Sequence, residues 1–486
     1  MKNFITRSQS PSLWVSIIPV ALLLISILGM IFTCGASVIQ DYSYIILLGA
    51  AAVCVILSLI FTKRKKSTLY LGIVKSARQI LPAVLILFFI GTLSATWMLS
   101  GVVPTLIDYG LGFLNPKAFL LTTCAVCAVV SVVTGTSWTT IATIGGAFMG
   151  IGTVLGYNPA WIAGAVISGA YFGDKVSPLS DTTVLAAATT GVDLFTHIRY
   201  LMLTTVPAMT IALVVYGIVG FFTDTVSAEN ALHIREAIQH TFNITGWVLV
   251  IPALTAVLIA LRMRTDMVLL LSSLFGLAGM YIFQPHIAAA LADGSDLWSN
   301  IASSIRILCT HTQVTTGEEA LDSLIGTSGM AGMLPTVYLV LSAMIFGGVM
   351  IGSGMLSTIT HAITKRLHSP KHLVSTTVAS GIFLNACTGD QYLSIIIGSN
   401  VYKNSYKRAG VKPQLLGRTI EDSVSVTSVL IPWNSCGLTQ SAVLGVATLT
   451  YLPFCIFNIL SPVMTLIMAW TGWRVRPVSV SSVSPA

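Results

Sequence analysis

The sequence predicts an all-α polytopic membrane protein with inverted repeats, made of about ten spanning helices, two re-entrant hairpins and two broken helices. Three observations carry that prediction. Of 486 residues, 55% are hydrophobic and only 9% charged, against roughly 25% charged in soluble domains. Apolar runs near residues 13–33, 43–62, 80–100, 200–222, 244–261, 267–283 and 335–358 each approach the ~20 residues that cross a bilayer. The second half also repeats the first at an offset of 253, which becomes 254 after one inserted residue.

The repeat is read from paired residues. Leu81-Pro82 meets Leu334-Pro335 and Ser100-Gly101 meets Ser353-Gly354; after the insertion Pro116-Lys117 meets Pro370-Lys371 and Thr134-Gly135 meets Thr388-Gly389. Gly156 and Pro159 then meet Gly410 and Pro413, Pro178 meets Pro432, and Gly191-Val192 meets Gly445-Val446. Loop charge gives the orientation. The connector at residues 155–161 has no Lys or Arg, whereas its counterpart holds Lys403, Lys407, Arg408, Lys412 and Arg418. The positive-inside rule places the first outside and the second in the cytoplasm, so the copies are inverted, the plan of many alternating-access carriers.

Taken in order, residues 1–65 form an N-terminal helix hairpin with Lys2 and Arg7 inside, and the run Lys63 to Lys66 starts copy one, residues 66–222, from the cytoplasm. Its segment 118–152 is too long for one crossing and too short for two, so it reads as a re-entrant hairpin with its tip at TGTSWTT, Thr134 to Thr140. Irregular backbone at that depth must be buried or line a cavity. The next helix carries GDKVSPLSDTT, Gly173 to Thr183, and Pro178 removes a donor and breaks it. Asp193, His197 and Arg199 read as capping and interfacial residues at its cytoplasmic end. Residues 223–333 are connecting helices and an outer loop, in which Thr223 to Asn243 reads as solvated and Glu318, Glu319 and Asp322 read either as drawing cations to a vestibule or, equally well, as the exposed face of an amphipathic segment. Copy two, residues 334–470, repeats the plan with a hairpin tip at TGDQY and a break at IPWNSCG; residues 471–486, with Arg474 and Arg476 inside, form a disordered tail.

The polar residues left in these apolar surroundings define the candidate site, because ionisable groups at membrane depth face a protein interior or wet cavity. Copy one offers Thr134, Gly135, Thr136, Ser137, Asp174, Ser177, Ser180, Asp181 and Thr182; copy two offers Thr388, Gly389, Asp390, Gln391, Glu421, Asp422, Asn434 and Ser435. Hydroxyls, carboxylates and carbonyls suit a hard cation such as sodium. The proton-coupling candidates are Asp174, Asp181, Asp390, Glu421 and Asp422, since a carboxylate in a dry cleft holds either a proton or sodium. Lys175, next to Asp174, alternatively neutralises it, and Lys175, Arg418 or the tip amides would receive a substrate carboxylate. No resident cofactor is expected. The formal charge of +8 sits in short loops and reports orientation, not nucleic-acid binding, and the CxxC of Cys124 and Cys127 has no second pair to make a zinc site.

GDKVSPLSDTT, TGTSWTT, TGDQYLS, RTIED and IPWNSCG together resemble the NhaC family of sodium/proton antiporters within the ion-transporter superfamily, over about residues 65 to 465. The resemblance implies sodium coupling, a prokaryotic cell membrane, a scaffold with a moving transport domain, and a homodimer in many members. It implies ion or substrate binding at Asp174, Ser177, Ser180 and Asp181 and at Asp390, Glu421 and Asp422. Val184 departs from the Asn that relatives commonly place after the paired threonines. The same resemblance extends to malate/lactate exchangers and sodium-coupled amino-acid carriers, which supply the alternative function. Two other classes fit less well. An intramembrane aspartyl protease needs Gly where Tyr171 stands, and no HExxH is present; a channel leaves the inverted copies without a purpose.

Overall fold

In lipid every backbone N–H and C=O must find its partner within the chain, and helices do this segment by segment. Apart from one antiparallel bridge, Thr312 with Thr327, the regular structure of the described residues is helical. The computed structural model describes residues 11–34, 39–62, 66–113, 115–223, 228–292, 294, 296–312, 326–364 and 369–473. Lys2, Arg7, Lys63, Arg64, Lys65, Glu318, Glu319, Asp322, Arg474 and Arg476 lie outside the described residues.

Helices α1 (Leu13–Cys34) and α2 (Ile39–Leu57) precede α3 (Lys66–Leu99), which carries Pro82 inside it. After α4 (Val102–Phe113) come α5 (Phe119–Thr134), the arm α6 (Ser137–Thr140) to α7 (Gly146–Val154), then α8 (Pro159–Val176), α9 (Asp181–Thr190) and α10 (Leu194–Phe222). Helices α11 (Ala228–Thr241), α12 (Val250–Ala260), α13 (Thr265–Phe283), α14 (Pro285–Leu291) and α15 (Leu297–Cys309) connect the copies. Copy two contains α16 (Leu334–Ser353), α17 (Met355–Thr364), α18 (Pro370–Thr388), α19 (Gln391–Arg408), α20 (Pro413–Ile420), α21 (Ser435–Leu444), α22 (Thr448–Tyr451) and α23 (Ile456–Thr471). Among the described residues seven helices are long and apolar enough to cross a membrane, and two bent pairs, 86° at Arg235–Ala260 and 59° at Thr448–Thr471, also qualify.

The copies share their turn chemistry. Gly101 and Gly354, Gly135 and Gly389, Gly156 and Gly410, and Gly191 and Gly445 all have φ between 65° and 83°, a region open to glycine and strained for other residues. Tertiary bonds repeat as well: Ser131 Oγ donates to Ala170 O at 2.6 Å, and 254 residues on Asn385 Nδ2 donates to Val424 O at 2.8 Å.

Both predicted hairpins fold back on themselves. Phe119, which begins α5, stacks on Phe148 of α7 and on Tyr157, with ring centroids 6.2 and 5.4 Å apart. In α18 and α19, Ser380 Oγ donates to Tyr402 Oη at 2.7 Å. They enter from opposite ends of the fold. The first opens beside the end of α10, where Lys117 lies 4.8 Å over Phe221; the second opens beside the end of α23, where Lys371 lies 5.1 Å over Trp470. Helices α10 and α23 are antiparallel, since Tyr216 bonds Phe454 O while Thr204 and Thr465 share Asp422.

Glycines let the key helices dock backbone to backbone. A Cβ on Gly169 would stand 2.2 Å from Cys124 O, and one on Gly173 2.4 Å from Ala128 O, so α8 lies directly on α5. Two expectations need correction. Paired prolines differ, because Pro335 opens α16 whereas Pro82 sits inside the 34-residue α3, which starts well before its apolar run. The supposed solvated stretch 223–243 holds α11, pinned where Arg235 Nε donates to buried Asp108 at 2.7 Å.

Candidate functional site

Helix α5 stops at Thr134 because Gly135 turns left-handed (φ 72°), and Thr136 restarts the chain as N-cap of the returning arm. Ser137, the first residue of that arm, donates its N–H and Oγ to Asp174 Oδ2 at 3.1 and 2.7 Å. Helix α8 ends at Val176 ahead of Pro178, with Ser177 extended and its Oγ donating to Val132 O at 2.8 Å. Ser180 then caps α9, donates to Asp174 Oδ1 at 2.6 Å, and accepts from Thr182 Oγ1 at 3.0 Å. Asp174 therefore ties the hairpin tip to the helix break. Asp181, first residue of α9, is exposed and lines the cavity described below.

Copy two builds the same frame with different groups. Gly389 (φ 67°) ends α18, and Asp390 caps α19 by accepting from Leu393 N at 2.8 Å. Thr388 Oγ1 pairs with Ser394 Oγ at 2.7 Å. Gln391 and Ser428, the counterparts of Ser137 and Asp174, are joined by a 3.2 Å bond from Ser428 Oγ to Gln391 Oε1. Asn434 caps α21, and Ser435 N donates to Gly389 O at 2.8 Å, which holds the second tip to the second break.

Both halves meet at a cavity of ≈ 310 Å³ walled by α3 and lined by Gly135, Thr136, Asp174, Asp181, Thr182, Asp390, Gln391 and Ser435. Trp138 and Tyr392, which face each other in the repeat at an offset of 254, form its aromatic walls. A neighbouring vestibule of ≈ 460 Å³ shares Pro82, Gly135, Thr136 and Asp181 and reaches the α12–α13 turn at Arg262, Arg264 and Asp266. Arg264 Nη2 donates to Asp266 at 2.7 Å.

The remaining candidates are placed differently. Thr134 lines the vestibule, and Ser137, Ser177, Ser180, Thr388, Gly389 and Asn434 stand behind the cavity surface as its frame. Neither Glu421 nor Asp422 lines it. Asp422 is fully buried and is paired with Lys175, with Ser461 and Thr204 donating to it at 2.7 and 2.9 Å and Thr465 completing the group. The expected Lys175–Asp174 pair is thus replaced by Lys175–Asp422, because successive residues of α8 point about 100° apart and Lys175 turns toward α10 and α23. Glu421 opens a π-helical turn, Glu421–Ser425, is fully buried, and has no hydrogen-bond partner on either carboxylate oxygen among the described residues.

The expected carboxylate receivers also move. Lys175 is engaged, and Arg418 is buried with its guanidinium 4.8 Å over Tyr200. His197, read as interfacial, is fully buried against Gly417. Asp193 does cap α10, accepting from Thr196 N and Oγ1, each at 3.0 Å, and these bonds hold its carboxyl below the ordinary range. Trp138, Tyr392 and Gln79 were missed, although the repeat register pairs the two aromatics within the tip motifs.

Two inverted, interrupted halves around a central polar cavity are the plan of a secondary active transporter. The chain belongs to the Na+/H+ antiporter family, whose family model matches residues 169–473. It is 37% identical over 389 residues to the Na(+)/H(+) antiporter NhaC of Alkalihalophilus pseudofirmus, covering 80% of this chain and 82% of that one. It is 34% identical to the malate-2H(+)/Na(+)-lactate antiporter of Bacillus subtilis, over 81% of each chain. It is 33% identical to the arginine/ornithine antiporter ArcD of Halobacterium salinarum, over 84% of this chain and 82% of that one. The protein is a secondary active antiporter of a multi-span membrane family.

Proposed function

We propose that the protein exchanges sodium for protons by alternating access, acting as a carrier and not as an enzyme. The observation that carries this reading is the cavity, where Asp174 and Asp181 of one break meet Asp390 of the opposite tip among hydroxyls and backbone groups. Sodium binds at these two tip-and-break frames. Asp181 takes the ion in copy one, with Thr136 and Thr182 beside it, while Asp174 organises tip and break. Asp390, Gln391 and Ser435 form the second position. Protons compete for Asp174, Asp181 and Asp390, and Glu421, buried without a hydrogen-bond partner among the described residues, is a further carrier. Asp422 is assigned to Lys175 as a positioning group.

The two copies fill the proposed ranges 66–222 and 334–470, joined by residues 223–333, with the hairpin 1–65 outside them. The cell membrane of a prokaryote is the proposed location, with both termini cytoplasmic and a homodimer as the assembly. On that orientation Arg262 and Arg264 face the cytoplasm, so the vestibule beside them makes this an inward-open form.

Reconstitution into vesicles with a pH dye and labelled sodium tests the reading. Sodium-driven proton release without an organic solute is expected, and Asp181→Asn abolishes it; unchanged flux in that variant removes Asp181 from the mechanism. A second reading, exchange of a small organic acid or amino acid, is favoured by the cavity volume of ≈ 310 Å³, which lies within the range of small-molecule pockets. Flux seen only when malate, lactate or an amino acid is supplied would establish it.

A further inference from the structure

We infer that three buried sulfurs between α2 and the α16–α17 turn form a site for one soft monovalent metal ion of the copper(I) class. Cys54 Sγ of α2 stands 3.4 Å from Met355 Sδ and 3.7 Å from Met350 Sδ, and all three residues are fully buried. Eight Cys and 16 Met are spread over 486 residues, so core packing alone seldom brings three sulfurs to one point. Cys and Met do fill cores as ordinary hydrophobes; what distinguishes this group is the way its members are held.

Helix α16 ends at Ser353, Gly354 turns left-handed (φ 77°), and Met355 begins α17, which brings both thioethers toward α2. Ser353 staples that turn, its Oγ donating to Met350 O at 3.0 Å and accepting from Met355 N at 3.3 Å. The helix under Met350 is clamped on α3, where a Cβ on Gly348 would stand 2.9 Å from Gly72 O and one on Gly352 3.0 Å from Thr68 O. Groups behind a ligand that fix its orientation raise metal affinity. A metal with bonds of about 2.3 Å to sulfur would hold the pairs at 3.4 and 3.7 Å under angles of about 95° and 107°, near the roughly 109° of a tetrahedral centre.

The donor set selects the metal. Thiolate and thioether sulfur are soft and suit Cu(I), whereas sodium prefers oxygen. Zinc takes thiolate, imidazole or carboxylate ligands, and among the described residues no group of three such side chains could hold a metal. Charge points the same way. One thiolate with two neutral thioethers balances one positive charge, and a divalent ion would leave a net charge buried. Binding is then a neutral replacement: the Cys54 thiol gives its proton to water, the thiolate and two Met lone pairs bond to Cu(I), and no electron is transferred. Cys54 lies one turn before the end of α2, which the proposed orientation sets at the cytoplasmic side, where thiols stay reduced. An occupied site ties the N-terminal hairpin to copy two, one turn of α16 from Gly347, which packs against Thr388 of the second tip.

Anaerobic titration of the purified full-length protein in detergent with Cu(I), buffered by the chelator bicinchoninate, tests this. The parent should bind one more equivalent than Cys54→Ala, and Cu(I) should raise the melting temperature of the parent but not of that variant. Met350→Leu and Met355→Leu conserve core volume and keep the thiol, yet each should raise the Cu(I) dissociation constant at least about tenfold, since even groups behind a ligand contribute about 10- to 100-fold. Equal copper uptake by the parent and Cys54→Ala would overturn the inference. Unchanged affinity in both Met variants would overturn it too, because Cys54 would then be a thiol without a built site. Displacement of the copper by an equal concentration of zinc would refute the assignment to a soft monovalent ion. None of these measurements involves transport, so they stand apart from the sodium/proton reading.

Discussion

Removing the Lys175 charge should destabilise the fold far more than removing the whole Lys175–Asp422 pair. Both side chains are at most 1% exposed, so each is costly to leave alone. Breaking a buried pair from one side costs about 3–5 kcal/mol, whereas replacing both partners by apolar residues is often close to neutral. In Lys175→Met, Asp422 keeps the hydroxyls of Ser461, Thr204 and Thr465, and hydrogen bonds to a charge contribute about 1.5–3 kcal/mol each. That places the loss near the lower limit, about 3 kcal/mol. In Asp422→Leu, Lys175 retains, among the described residues, only Ser461 Oγ at 2.8 Å and the Phe457 ring at 5.7 Å, so about 5 kcal/mol is expected. The double variant should lie within about 2 kcal/mol of the parent, and sodium/proton exchange should survive in it. SDS-induced unfolding in mixed micelles measures the three stabilities. Single effects that add to within about 0.5 kcal/mol, the behaviour of independent sites, would refute the reasoning, as would loss of exchange in a stable double variant.

Three further outcomes are expected. Gly169→Val places a Cβ 2.2 Å from Cys124 O and should cost at least about 3 kcal/mol, lowering the melting temperature in detergent, whereas Gly146→Ala, with nothing within 4 Å, should stabilise by about 0.5–1 kcal/mol. Arg262 is the sole non-glycine residue at positive φ (57°) among those described, so Arg262→Gly should stabilise the α12–α13 turn by about 1 kcal/mol; an unchanged or lower melting temperature counts against this strain. Asp193 has its carboxyl held below the ordinary range by Thr196, so its capping contribution is complete above pH ~4 and is lost as pH falls through the lower, folded value. Asp193→Ala should therefore lower the melting temperature at pH 7 and make no difference at the acid end, and a pH-independent difference would exclude the cap as its source.

The hairpin tips were legible before any coordinates, because a glycine between hydroxyl residues in an apolar run stops one helix and caps the next through purely local bonds. Gly135 with Thr136 and Gly389 with Asp390 do this with the same backbone geometry. The helix breaks were legible for the same reason, since Pro178 lacks the donor that would continue α8. The extent of α3 was less legible, because helix continues through the less apolar Lys66–Gln79 stretch ahead of its apolar run.

Sequence by itself determined which stretches lie at membrane depth, where they break, and that the two halves repeat; composition and backbone chemistry act locally and are the same wherever a segment packs. Tertiary structure alone decided which polar neighbour each charge meets. Asp174 and Lys175 are adjacent in the chain, yet one faces the hairpin tip and the other faces Asp422 between α10 and α23. Helix rotation sends successive side chains to different partners, and only packing says what waits on each side.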